Sequence, residues 1–323
     1  MLTLTITSPV GCTDEVQDLL INDPAVSSVA VIRGASVKPA GDVVTADVAR
    51  EGANDTIRAL IGTGVHREGT IHIDDAATWV SANAYQVDNE MPGDGVDAVV
   101  WAEVVQRAYS ETLVSWIFLA FMIMATLIAG IGIIIDSQIL LIGSMVLGPE
   151  FGAIAAIGIA LVSKRPRLIG RAFRTLIVGF VVGISFTTAI SLMGRWLNWV
   201  TVEDFTRPRP DTAFIYTPDR WSLVVALIAG VAGVLSMTSN RAGALAGVFI
   251  SVTTIPAAGN IALGLAFQQW HEVWGSTVQL IVNIMGMGLA GWLALLTQQK
   301  LWSKVHPLQR LGHPQSLTPP PPD

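Results

Sequence analysis

One acidic residue stands inside a long apolar run. Glu150 lies between Pro149 and Phe151, about fourteen residues into residues 137–163, which carry no other charge. An ionised carboxylate in hydrocarbon costs several kcal/mol unless it is paired, hydrated or protonated, so an acid here is a candidate to coordinate a cation or take a proton. The competing reading is that the segment is shifted or re-entrant, which leaves Glu150 solvated at the aqueous boundary. Pro149 removes a backbone N–H and clashes with the preceding turn, and this frees carbonyls near Leu147 and Gly148 where no water can satisfy them.

The same pattern returns later in the chain. Leu147-Gly-Pro-Glu-Phe-Gly152 is followed by a small-residue run through Ala160, and Thr254-Ile-Pro-Ala-Ala-Gly259 by another through Ala266. Both read Pro-x-x-Gly within a hydrophobic segment. Paired helix breaks in matching positions of two halves point to a transporter site near the bilayer midplane. The candidate ligand- or ion-binding residues are therefore Gly148, Pro149, Glu150 and Gly152 with Thr254, Pro256, Gly259 and Asn260, and Asn260 is expected to assist Glu150 from the opposite half. The plainer alternative is a pair of proline kinks with small residues for close helix packing.

Other chemistry is not visible. The five histidines show no ligand spacing, and no phosphate-binding glycine loop or nucleophile triad appears, so no enzyme, cofactor or metal site is expected. Cys12 is the single cysteine, which excludes an internal disulfide and reads as a small buried apolar residue. Asp136 reads as a helix-ending interfacial charge, and Gln279 and Asn283, four apart, as interhelical hydrogen-bonding groups.

The elements that position these residues follow from composition. The chain is 51% hydrophobic and 14% charged, with mean hydropathy +0.55. Residues 1–110 hold 16 of the 25 acids and 6 of the 19 bases, so the two regions carry −10 and +4. The change marks a boundary between a soluble part and a part that uses lipid as solvent. Residues 112–135, 137–163, 175–194, 221–239, 242–267 and 275–296 are each long and apolar enough to be a span. Six spans form two three-helix halves, and an odd number per half makes the second inverted.

Lys164, Arg165, Arg167, Arg171, Arg174, Arg241, Lys300, Lys304 and Arg310 fall on one side, which places that side and both termini in the cytoplasm. The loop between spans three and four holds Arg195, Arg207, Arg209 and Arg220 at lower density. Trp196, Trp199, Trp221, Trp270 and Trp274 gather at the opposite boundary as interfacial anchors.

In the soluble part, Leu2, Leu4 and Ile6 alternate with threonines as a strand, and a helix follows from Thr13 to the stop at Asp23-Pro24. Val29 to Ile32 and Val43 to Val48 read as a hairpin around Pro39, Asn54 and Asp55 open a second helix, and Thr70 to Ile73 close the order βαββαβ. That is a ferredoxin-like α+β domain over residues 1–82, similar to small-molecule-sensing domains and equally readable as an oligomerising cap. Residues 83–110 read as a linker and lead-in helix, 111–300 as the α-helical polytopic membrane bundle, and 301–323, with four consecutive prolines, as an extended tail.

The stretches Ile142-Gly-Ser-Met-Val-Leu-Gly-Pro-Glu-Phe-Gly152, the basic loop 164–174, Ala229-Gly-Val-Ala-Gly-Val234 and Gly247-Val-Phe-Ile-Ser-Val-Thr-Thr-Ile-Pro256 resemble the bacterial hydrophobic membrane proteins grouped as domain of unknown function 389. The resemblance covers roughly residues 113–296 and implies a polytopic membrane protein without naming a substrate. This chain departs from the usual form at Glu150, where an apolar residue is common, and at Ala257, where a second proline is common. Two functions stand open: a transporter or channel-like protein of the cell membrane moving an unidentified ion or small solute, or a membrane-anchored sensor or scaffold. Either suits a homo-oligomer in the lipid bilayer with no nucleic-acid partner, since topology alone explains the basic loops.

Overall fold

The alternating N-terminal residues form strand β1 (Leu2–Ser8) of a four-stranded sheet with β2 (Val26–Val37), β3 (Ala40–Val48) and β4 (Thr70–Asp75). The computed structural model describes residues 1–76, 80–91, 98–216, 220–238 and 253–302. Sheet order is β2-β3-β1-β4, with every neighbouring pair antiparallel. The period of two buries Leu2, Leu4 and Ile6 against Val44, Ala46 and Val48 on one face. Helices α1 (Thr13–Ile21) and α2 (Ala53–Gly62) cover that face with Val16, Leu20, Ile57 and Leu60. Fully burying each such aliphatic side chain contributes about 1.5–3 kcal/mol. A short α3 (Val65–Glu68) precedes β4.

Two local details differ from the sequence reading. Residues 83–90, taken there as linker, lie in helix α4 (Ala82–Glu90), which Ser81 caps by accepting from the Ala84 N–H. Ala84 and Val87 bury against Met1 and Ala49, and the Asn83 side chain donates to the Ser27 carbonyl. Two buried positions in nine residues are too few to show a helical period. The remaining linker residues Pro92, Gly93, Asp94 and Gly95 lie outside the described residues. Cys12 is half-buried at the N-cap of α1, whose first helical residue is Thr13, so it is not the buried apolar residue expected.

A charged cluster closes the β2–β3 hairpin. Asp42 accepts from the Gly34 N–H at 2.7 Å and from Arg33 at 3.1 Å, and Arg33 also reaches Asp14 at 2.6 Å. Gly34 has φ +64°, a conformation that glycine adopts without a Cβ penalty. The Gly34 N–H first, and then its side-chain partners, hold the Asp42 carboxyl below the usual carboxylate range. A depressed carboxyl adds stability that is present above the unfolded-state value, about 3.9, and lost as pH falls through the lower folded one. Hydrogen exchange at the Gly34 amide is therefore expected to be slow at neutral pH and to lose relative protection below about pH 4. Asp42→Asn should remove that pH dependence.

The chain divides into one compact unit containing Met1–Glu103 and another, Val104–Lys300. Helix α5 (Trp101–Glu111) leads into the second. There, α6 (Trp116–Ile134), α9 (Pro166–Trp196), α11 (Arg220–Thr238) and α13 (Trp270–Trp302) contain stretches long and apolar enough to cross a membrane. Between α6 and α9 lies a pair, α7 (Gln138–Leu147) and α8 (Glu150–Val162), bent by 53° at the intervening break. The predicted span at 137–163 is thus two half-helices. A short α10 (Val202–Thr206) lies in the loop after α9. The predicted fifth span is described from residue 253 onward as α12 (Thr254–Phe267), about 21 Å long. Residues 242–252, Arg241 and the tail residues Lys304 and Arg310 lie outside the described residues.

Helix ends in this unit repeat one device. Asp136, Lys164, Asn198 and Gln268 adopt left-handed φ after α6, α8, α9 and α12. The next N–H in each case bonds back five residues, as Ser137 does to Gly132 at 2.8 Å and Gln269 to Gly264 at 2.8 Å. This closure satisfies carbonyls that the helix end would otherwise leave open. The predicted tryptophan anchors Trp196, Trp199, Trp221, Trp270 and Trp274 are all at least 66% exposed, at or just beyond the C-terminal end of α9 and at the N-terminal ends of α11 and α13.

Candidate functional site

Pro149 is the N-cap of α8 and makes Glu150 its first residue, while α12 starts at Thr254 with Pro256 in its first turn. A proline there costs no hydrogen bond, because first-turn N–H groups have no helical partner. Pro256 therefore stands at a helix start within the described residues, and the expectation that it frees carbonyls inside a helix is replaced by that placement. The two starts meet: Thr254 Oγ1 donates to Glu150 Oε1 at 2.5 Å. Glu150 is 6% exposed, and its Oε2 has no partner among the described residues. The positive ends of two helix dipoles face this carboxylate, so an anion is favoured here without a basic residue.

Gly148 makes the approach possible. A Cβ there would strike the Glu150 carboxylate and lie 2.6 Å from Ile255 Cγ1. Gly152 and Gly259 serve packing instead. A Cβ on Gly152 would meet the Glu111 side chain, and one on Gly259 would lie 2.8 Å from Ala129 Cβ and 3.2 Å from the Thr126 carbonyl oxygen on α6.

Both short helices are enclosed by helices from the other half of the unit. The α8 residue Phe151 packs on Gly233 of α11, and a Cβ on Gly158 would come 3.1 Å from Trp292 N on α13. On α12 every residue but Leu265 is buried, against α6 and α9, where Thr188 Oγ1 donates to the Ala262 carbonyl at 3.3 Å. A helix apolar on all sides is stable only when fully surrounded.

A polar stripe runs along α13 beside this junction. Glu272, Ser276, Gln279 and Asn283 are spaced 4, 3 and 4, one helical face over about 16 Å. Gln279 Nε2 and Asn283 Nδ2 donate to Thr253 Oγ1 at 3.1 and 2.8 Å, the interhelical bonding expected of them. Asn260 makes no direct bond to Glu150. Its Nδ2 donates to Ser276 Oγ at 2.9 Å and Glu272 Oε2 at 3.1 Å, and it sits six residues from Thr254, about 9 Å along α12. Asn260 Oδ1 and Gln279 Oε1 are buried without partners among the described residues.

Arg209 Nη2 reaches both Glu272 carboxylate oxygens at 2.7 Å, and the guanidinium lies 4.4 Å over the Phe205 ring and 5.6 Å from that of Tyr216. Sequence reasoning missed Glu272, Ser276, Thr253 and Arg209. The 4-3-4 spacing on α13 was the available signal for the first two. Arg207 and Arg195 donate to the carbonyls of Ile134 and Ala266 near helix C-termini, at 2.7 and 3.0 Å. Asp136 accepts from Thr212 Oγ1 at 2.9 Å, in keeping with its helix-ending reading.

Residues 145–289, which include the whole junction, match the family described as Domain of unknown function (DUF389). An uncharacterized protein of Methanocaldococcus jannaschii is 25% identical over 169 residues, 52% of this chain and 50% of that protein. The matched part thus spans half the length of this curated relative. No solved structure matches the chain.

Proposed function

We propose that this chain, whose residues 145–289 carry the DUF389 domain, is a multi-pass protein of the cell membrane that moves an ion or small solute past a site where two half-helices start face to face. The observation that carries the reading is the Thr254–Glu150 hydrogen bond, which joins proline-marked helix starts from two halves of the bundle around a buried carboxylate. Irregular backbone at membrane depth is tolerated where protein or a polar cavity covers it, and paired discontinuous helices at a repeat interface are where transporter sites form.

The described helices supply five crossings if α7 and α8 count as one, and six if α12, preceded by residues 239–252 outside the described residues, belongs to another. A 53° bend still lets α8 advance about 12 Å along the α7 direction, about 27 Å in all, close to a hydrocarbon thickness of ~30 Å. The mutual embedding of α8 and α12 supports an inverted repeat. Arg195, Arg207 and Arg209 are occupied by internal bonds, whereas Lys164, Arg165, Arg167 and Arg174 make no ion pair among the described residues and Arg171 lies over Tyr109. This supports placing loop 163–174 and both termini in the cytoplasm. The strand order and the two split βαβ units support a ferredoxin-like cytoplasmic domain.

Purified protein in liposomes tests the reading. A measurable flux of at least one ion or small solute is expected for the wild type, and Glu150→Gln should reduce it at least tenfold. Absence of flux, with tight small-molecule binding to the N-terminal unit, would favour the sensor account instead.

A further inference from the structure

Glu150 Oε2, Gln279 Oε1 and Asn260 Oδ1 are each buried and lack a donor among the described residues, and all three belong to side chains at least 94% buried. All three are acceptors. The amide donors and the Thr254 hydroxyl beside them are engaged: Thr254 by Glu150, the Gln279 and Asn283 amides by Thr253, the Asn260 amide by Ser276 and Glu272. The Thr253 and Ser276 hydroxyls, which accept from these amides, bond to none of the three oxygens. An occupant must therefore bring hydrogen-bond donors or positive charge.

The spacing of these oxygens decides which. A metal cation needs several oxygens gathered into one shell. Here they are spread along the helices: Asn260 lies about 9 Å along α12 from Thr254, beside Ser276, whereas Gln279 reaches Thr253 at the Glu150 end. A line of buried acceptors is what bound water satisfies, and water in a line ending on a carboxylate carries protons.

We infer that the transported species is the proton, delivered to Glu150 along the polar file of Asn260, Ser276, Gln279 and Thr253 from the end sealed by the Arg209–Glu272 pair. This rests on the transport reading above. In the step, a hydronium ion at one membrane face gives its proton through intervening water to Glu150 Oε2, forming the carboxylic acid. The O–H bond then breaks and the proton leaves to water at the other face. Nothing is oxidised or reduced.

The exit has a marker as well. The exposed Glu111 side chain packs on Gly152, two residues beyond Glu150. Around Glu150 the charged groups facing the site are Glu111 from α5 and, at the far end of the file, Glu272 with Arg209. The apolar stretches of α6, α7, α9, α11, α12 and α13 carry no other charge among the described residues. The two helix N-termini offset part of the Glu150 charge, and with no basic residue beside it a proton is the species that makes the group neutral.

The test uses the full chain in liposomes with a pH dye inside and a potassium diffusion potential set by valinomycin. Wild type should acidify the lumen when the inside is negative. Glu150→Gln should cut the rate at least a hundredfold, Glu150→Asp should retain flux, and Asn260→Leu with Gln279→Leu should slow it about tenfold. Infrared difference spectra across pH should show a carboxylic-acid carbonyl band that Glu150→Gln lacks, which reads the same group without transport. No potential-driven proton entry in the wild type, or equal rates in Glu150→Gln, overturns the inference. Glu150-dependent flux of sodium, potassium or another solute with unchanged lumen pH overturns the proton alone and leaves the transport reading standing. Absence of every flux overturns both.

Discussion

Arg209→Met is expected to lower the stability of the full chain by about 3–5 kcal/mol, the usual cost of breaking a buried ion pair by removing one partner. The Arg209 side chain is 2% exposed and that of Glu272 14%, so the remaining carboxylate cannot recover its hydration. Asn260 Nδ2 stays as a donor to Glu272, but it supplies no charge. The loss also removes the stacking of Arg209 on Phe205. Adding Glu272→Gln should recover a large part of the deficit, because a buried neutral pair carries far less desolvation cost than a lone ion. Thermal unfolding in one detergent, compared across the two single variants and the double, checks this. A single variant within about 1 kcal/mol of wild type would place the pair in water, where such bridges contribute little.

The second large effect is expected at Gly230, where α11 crosses α13. A Cβ there would strike the Met287 carbonyl oxygen and lie 2.7 Å from Met287 Cα and 2.9 Å from its carbonyl carbon. These are backbone atoms of a long helix and cannot swing aside as a side chain can. Gly230→Val should therefore force the helices apart and cost about 3 kcal/mol, the upper part of the overpacking range. It should also loosen Gly233 from Phe151, one turn along, and with it the start of α8. Gly170→Ala is the matching control: nothing lies within 4 Å of its Cβ position on α9. There the helix propensity of alanine should leave stability unchanged or raised by up to about 1 kcal/mol. Monodispersity and melting temperature of the two variants separate a packing constraint from a general dislike of substitution.

The two variants mark what a single sequence can and cannot convey. Local patterns were readable: the Leu2–Leu4–Ile6 alternation, the hairpin around Pro39, the interruption at Gly148 and Pro149, and the exposed tryptophans all depend on residues close in the chain. The apolar stretches gave helices of spanning length for the same reason. Asn260, directly after one Pro-x-x-Gly, was expected to assist Glu150, inside the other, yet its partners are Glu272 and Ser276, set by how α12 lies on α13. The arginines of residues 195–209 were weighed as topological charges. Their engagement with Ile134, Ala266 and Glu272 depends on a loop folding back over helix ends more than fifty residues away. Helix α4 escaped notice because its stability comes from Met1 and Ala49, not from its own nine residues. Glycines carried the least information of all: Gly230 and Gly170 look alike in sequence and differ only in what stands opposite them.

The account depends on the two helix starts meeting inside one chain, and cross-linking tests that contact directly. In a Cys12→Ser background, Gly148→Cys with Ile255→Cys places two thiols where a Gly148 Cβ would lie 2.6 Å from Ile255 Cγ1. Ile255→Cys removes that crowding, and the other atom met within 3 Å is the movable end of the Glu150 side chain. Mild oxidation of membranes holding this variant is expected to form an intramolecular disulfide rapidly, seen as a mobility shift reversed by reductant and absent from either single-cysteine chain. Two thiols that stay free under oxidation, each modified by a membrane-impermeant reagent, would contradict the meeting of the half-helices and remove the basis for a site at Glu150.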